Sequence, residues 1–124
     1  MRIVDRIFAV ILILGGIGHG LGSYLGYKHE PITMLWALSV TVLTILVAAI
    51  NLLRSGRTND RPLAWIAFAG SMACAVSAFT FGVLIGNVFD FRPLWHTIAA
   101  LALAAFSLKA ALTPSPNHAP IQGR

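Results

Sequence analysis

The chain has 124 residues, of which 57% are hydrophobic and only 10% are charged, whereas an ordinary soluble domain carries about 25% charged residues. A soluble chain this short could not bury so much apolar surface, which excludes a soluble catalytic domain and indicates a single membrane domain. The formal net charge is +5, but there is no dense basic run with interleaved aromatic residues, so nucleic-acid binding is not expected.

Four apolar stretches are long enough to cross a bilayer core of about 30 Å, which takes about 20 helical residues. They predict an all-α fold, an antiparallel bundle of four transmembrane helices, at about 7–26, 32–53, 63–86 and 94–112. The connections are short, which makes neighbouring helices antiparallel, and a polar connection from Arg54 to Pro62 separates the two hairpins. Residues 1–112 are the predicted transmembrane domain, and the proline-rich residues 113–124 are a predicted disordered tail.

The basic residues predict how this bundle is oriented. Lys28 and Arg92 fall on one side of the membrane, and the other side collects Arg2, Arg6, Arg54, Arg57, Arg61, Lys109 and Arg124. Because cytoplasmic loops carry the excess of Lys and Arg, both termini are predicted to be cytoplasmic. Trp36 and Trp95 then lie near the outer interface and Trp65 near the inner one, where aromatic residues are enriched.

Small residues at a spacing of about four mark the helix faces that we expect to pack. Such residues let the backbones of membrane helices approach closely. The predicted packing residues lie in the first and third helices and are Gly15, Gly18, Gly22, Gly26, Gly70, Ala78 and Gly82. The same faces could instead serve self-association or docking into a larger membrane complex, so these alternatives stay open.

Ionisable residues gather on the predicted outer side. They are His19, His29, Glu30, Asp90 and His96. An ionisable residue within a membrane span is a functional hypothesis by default, and His19 is the one that lies well inside a span. The alternative is a neutral histidine bonded to a carbonyl or a hydroxyl group of another helix, and for His29 and Glu30 it is a solvated loop.

Three ligand chemistries fit this outer cluster. Imidazole and carboxylate groups suit zinc or copper, although no H-x-x-x-H or H-x-H pair occurs. Haem could be held by His19 and His96 from two helices, although the predicted depths place them about a turn apart. A quinone, a lipid or another apolar ligand could use either histidine as a hydrogen-bonding or proton-exchanging group. The sequence does not choose among these three.

Several activities are excluded by missing motifs. There is no Ser-His-Asp pattern, phosphate-binding glycine loop or H-E-x-x-H. The single cysteine, Cys74, makes neither an intrachain disulfide nor a cysteine metal site, and we expect it to pack as a small apolar residue. Small multidrug resistance exporters are similar in length and span number, but they need a membrane-embedded glutamate in the first helix, and no acid lies between Ile7 and Tyr27.

The start of the chain resembles a known group of proteins. The run Arg6-Ile7-Phe8, followed by Leu14-Gly15-Gly16-Ile17-Gly18-His19-Gly20, is similar to the first helix of DoxX-like and related small four-helix bacterial membrane proteins. These also have an arginine before the first helix and a glycine-rich segment within it. The resemblance covers the first helix and the overall architecture. It implies a location in the bacterial cytoplasmic (inner) membrane, with no catalytic residue to carry over.

We therefore expect a small multi-pass inner-membrane protein without enzymatic activity. It would bind a ligand or cofactor at its outer end through His19 and His96, with the lipid bilayer as its environment. One alternative is an accessory or assembly subunit, working as a homo-oligomer or within a larger membrane complex. A second alternative is a haem- or quinone-linked component of a membrane oxidoreductase.

Overall fold

The computed structural model describes residues 2–57 and 59–113, and within them it contains four α-helices. These helices are α1 (Arg2–Tyr27), α2 (Pro31–Gly56), α3 (Arg61–Leu84) and α4 (Phe91–Leu112). Each has a span long and apolar enough to cross a membrane. The prediction of an all-helical chain with four such spans is confirmed. The predicted disordered tail lies, apart from Thr113, outside the described residues.

Polar side chains and a glycine define where the later helices begin and end. The carboxylate of Asp60 accepts a hydrogen bond from the Leu63 amide at 3.0 Å, which satisfies a free N–H group at the start of α3. Gly86 follows α3 with a φ of +73°, and the Asn87 amide donates to the Gly82 carbonyl. This left-handed turn closes a helix end and favours glycine, which has no Cβ to clash.

The second helix runs further than its polar sequence suggested. We expected a connection to begin at Arg54, but α2 continues through it to Gly56. Arg54 is buried and pairs with Asp5 of α1. Arginine is a good helix former, so the helix continues through this position, and the ion pair explains how the charge is accommodated when it is buried.

The contacts between helices use small side chains. The closest packing joins α1 to α2 and α3 to α4, while α1 also contacts α4 and α2 contacts α3. The buried core is centred on Leu12, Leu103 and a set of alanines, Ala9, Ala48 and Ala99. Many large aliphatic residues point outward instead, among them Leu14, Leu43, Val76 and Leu101. This arrangement suits a surface that contacts lipid rather than water.

The predicted glycine contacts divide into two groups. A Cβ on Gly15, Gly70 or Gly82 would come within 2.9 to 3.3 Å of another part of the chain, so these three do permit close approach. Ala78 is half-buried on α3.

Gly18, Gly22 and Gly26 are different, and their predicted packing role stays a prediction. Nothing in the described chain outside their own helix backbone lies within 4 Å of where their Cβ atoms would be. Gly16 and Gly20 approach Thr44 and Thr41 of α2 instead. Two residues correspond to about 200° of rotation around a helix, so Gly18 lies on the face opposite to that contact.

Candidate functional site

His19 of α1 and His96 of α4 come together in the folded chain. Their ring centres are 6.2 Å apart and the ring planes are inclined at 77°, an edge-to-face arrangement. The predicted depths placed the two histidines about a turn apart, whereas the structure brings their rings into contact. Both lie toward the end of the helices that carries the α1–α2 and α3–α4 connections, which we call the histidine end.

Gly15 and Trp95 place the second histidine. A Cβ on Gly15 would lie 2.9 Å from His96 Nε2 and from two atoms of the Trp95 ring, so the missing side chain lets α4 rest on α1. The Trp95 indole N–H donates to the Ile11 carbonyl at 3.2 Å. The start of α4 is thus attached to the backbone of α1, and this attachment directs His96 toward His19.

A backbone carbonyl selects the tautomer of His96. His96 Nδ1 lies 2.8 Å from the Arg92 carbonyl oxygen. Because a carbonyl can only accept, Nδ1 carries the proton and Nε2 has a free lone pair. His19 Nε2 is buried and has no hydrogen-bond partner among the described residues, and the His19 ring lies beside the Ala37 backbone.

The remaining predicted site residues do not join this pair. His29 and Glu30 are exposed beside the α1–α2 turn. Asp90 forms an ion pair with Arg92, with Oδ1 to Nε and Oδ2 to Nη2 distances of 3.0 Å. Hydrogen bonds from Arg92 lower the pKa of Asp90 to about 2. Within the described residues no group of three or more His, Cys, Asp or Glu side chains could hold a metal ion, so the cluster reduces to two histidines.

The free Nε2 of His96 and the spacing of the two rings bear on the ligands that the sequence left open. An oxidised quinone offers carbonyl oxygens, which need N–H donors, whereas the hydroxyl groups of a quinol can donate to a free Nε2, so this ligand stays open. A porphyrin needs a flat cleft between its axial ligands, but α1 and α4 are in contact at Gly15, one turn from His19. A single cation stays open as a ligand, since two metal–nitrogen bonds of about 2.0 Å each are compatible with ring centres 6.2 Å apart.

A second polar site lies at the opposite end of the helices, which we call the basic end, and sequence reasoning missed it. Asn51 donates to Ser71 Oγ and accepts from Ser107 Oγ, both at 2.9 Å, and none of these three side chains is exposed. The Arg54 guanidinium lies 3.4 Å from Asn51 Oδ1 and pairs with Asp5. These five residues, the Asn51 cluster, connect all four helices.

A weak sequence signal for the Asn51 cluster does exist. Asn51 lies within an apolar span, one turn before Arg54 and near the end of the second helical segment. Asp5 lies near the start of the first segment. The pattern identifies candidates without showing that they meet. Because the polar groups of the cluster satisfy one another, it is better suited to holding the helices together than to binding a ligand.

Comparison with protein-family models, with curated proteins and with solved structures found no significant match for this chain. The resemblance of the first helix to DoxX-like proteins therefore stays a prediction.

Proposed function

We propose that this chain is a multi-pass membrane protein, an antiparallel four-helix bundle with cytoplasmic termini, that binds a metal cation between His19 and His96. The resemblance of its first helix to DoxX-like proteins is the reason for placing it in a bacterial inner membrane. The observation that carries the proposal is the buried Nε2 of His19, which has no partner among the described residues and lies beside a second histidine.

The environment of the pair resembles that of metal-binding histidines. Such histidines nearly always donate their other ring N–H to a carbonyl or a carboxylate, which fixes the tautomer and orients the ring. Arg92 supplies that carbonyl for His96, and the backbone of Ala37 lies beside the His19 ring. Neutral imidazole is a ligand for copper and zinc.

The charge of the site favours a monovalent cation. No carboxylate or thiolate of the described chain joins the pair, so a bound cation would keep its full charge. A charge held within a membrane span is costly when it is not compensated. Copper(I) carries half the charge of zinc(II), so less charge has to be stabilised within the span. We therefore favour copper(I).

Metal binding can be tested on protein purified in mild detergent. Chelator-treated protein is given copper(I) under reducing conditions, or zinc(II), and bound metal is measured after desalting. We expect one copper per chain, lost in His19→Ala and His96→Ala. His29→Ala is the matched control because His29 is exposed beside the α1–α2 turn and joins no group of three metal-ligand residues, so this variant should retain its copper. Copper retained by the His19→Ala/His96→Ala double variant would contradict the proposal.

A second candidate function rests on the open face of α1. Gly18, Gly22 and Gly26 approach nothing in the described chain, which is compatible with an accessory subunit that packs against another membrane helix. In that case Gly22→Leu would abolish association with a partner and leave copper binding unchanged. Pull-down from membranes with mass spectrometry, compared between Gly22→Leu and Leu21→Ala, distinguishes the two functions.

A further inference from the structure

A shallow groove runs along α1 at the basic end. It has a volume of about 310 Å³ and is lined by Ile3, Arg6, Ile7, Val10 and Ile11. These positions follow the three- and four-residue spacing that forms one stripe on a helix. The lining is entirely apolar, so Arg6 contributes its alkyl stem to the wall. The guanidinium at the end of that stem lies beside the groove, toward Ser55 of α2.

Arg6 is oriented but not neutralised. Its Nε donates to Ser55 Oγ of α2 at 3.3 Å, which holds the guanidinium at the junction of α1 and α2. The neighbouring carboxylate, Asp5, is buried in its ion pair with Arg54. No ion pair of Arg6 occurs within the described residues, so its remaining N–H groups are available to an anion. A guanidinium of this kind matches the paired oxygens of a phosphate.

The depth of the groove matches a phospholipid. A helix of 26 residues, the length of α1, is about 39 Å long and exceeds the hydrocarbon core of about 30 Å by roughly two residues or more at each end. Arg6 can therefore extend its guanidinium to the phosphate level. Ile7 and Val10 follow along the helix at the depth of acyl chains.

We infer that this groove binds an anionic phospholipid, with the phosphate on Arg6 and one acyl chain along Ile7 and Val10. The charge complementarity supports this occupant, because basic pockets beside membrane helices bind anionic headgroups. The apolar walls give a whole lipid an additional contact that inorganic phosphate lacks. The inferred site is separate from the histidine pair and does not depend on metal binding.

The charge requirement can be tested by native mass spectrometry of detergent-purified protein with phosphatidylglycerol or phosphatidylcholine added at equal concentration. We expect the wild-type chain to retain phosphatidylglycerol preferentially, and Arg6→Gln to lower its retention roughly tenfold, the effect of losing one charged hydrogen bond. Arg57→Gln is the matched control, since Arg57 is also exposed at the basic end but lies outside the groove. If Arg6→Gln and Arg57→Gln lower phosphatidylglycerol retention equally, the retention reflects general attraction between basic residues and an anionic lipid. That result would overturn the inference.

The apolar part of the site needs its own pair of variants. Val10→Trp fills the groove, whereas Leu14→Trp adds the same bulk one turn away on an exposed position outside it. We expect the first to displace the lipid and the second to leave it bound. Melting temperatures in detergent verify that all four variants are folded. Unchanged lipid retention in a folded Val10→Trp variant would contradict a site in this groove.

Discussion

The ring of His19 meets the ring of His96 edge to face, where Gly15 allows α4 to lie against α1. Neither histidine is placed by its own helix alone. The Arg92 carbonyl orients the His96 imidazole, and the Trp95 contact with Ile11 positions the start of α4. The pair can therefore be disturbed through packing residues without changing either ring.

Gly15→Ala tests this dependence on packing. The added Cβ would lie 2.9 Å from His96 Nε2 and from the Trp95 ring, so the side chains of α4 must shift. We expect copper affinity to fall at least roughly tenfold, as when the groups that orient a metal ligand are disturbed, and unfolding to become easier by about 1–3 kcal/mol. Gly18→Ala is the control because its Cβ meets nothing in the described chain. Identical behaviour of the two variants would show that Gly15 does not position the site.

The Asn51 cluster should dominate the stability of the folded chain. Asn51→Ala removes a donor to Ser71 and an acceptor for Ser107, all fully buried. Leaving buried polar groups unsatisfied costs about 1–3 kcal/mol for each group, so we expect a loss of about 2–4 kcal/mol, measured by unfolding in mixed detergent micelles. Ser39→Ala, which removes a bond from an exposed hydroxyl to the Leu35 carbonyl of its own helix, should change stability by much less.

The Asp5–Arg54 pair allows a double-mutant cycle. Breaking a buried ion pair by removing one partner costs about 3–5 kcal/mol, because the other charge is left uncompensated. We therefore expect Asp5→Asn and Arg54→Gln each to be strongly destabilising. The double variant should lose less free energy of unfolding than the sum of the losses in the two single variants. Strict additivity of the two losses would mean that the side chains do not interact in the membrane-embedded protein.

The ion pair of Asp90 at the histidine end should make the stability of the fold depend on pH. The folded pKa of Asp90, about 2, lies below the ordinary aspartate value of about 3.9, so its ionised form stabilises the fold. That contribution is complete above about pH 5, declines below about pH 4 and is lost as the pH falls through about 2. Asp90→Asn should thus melt below the wild type at pH 7, with the difference shrinking below about pH 4 and vanishing only below about pH 2. Arg92→Gln should move the transition toward higher pH, and an unchanged transition would contradict the cause assigned here.

Local sequence properties determined the secondary structure of this protein. Four apolar stretches, the prolines near the helix starts and the turn residues between them act within a few positions, so the number of helices and their approximate positions could be predicted. The same reasoning selected His19 and His96, because an ionisable residue in a membrane span stands out from its apolar neighbours.

Tertiary contacts decided the rest, because they join residues that no sequence spacing relates. The burial of the Arg54 charge depends on Asp5 of another helix. The packing role of Gly15, and the open face at Gly18, depend on how α1 is rotated against its neighbours. The Arg92 carbonyl that fixes the His96 tautomer lies one turn earlier on α4 and is a local contact. The pairing of His19 with His96 depends on how α1 and α4 pack against each other, because residues on separate helices meet only where those helices do.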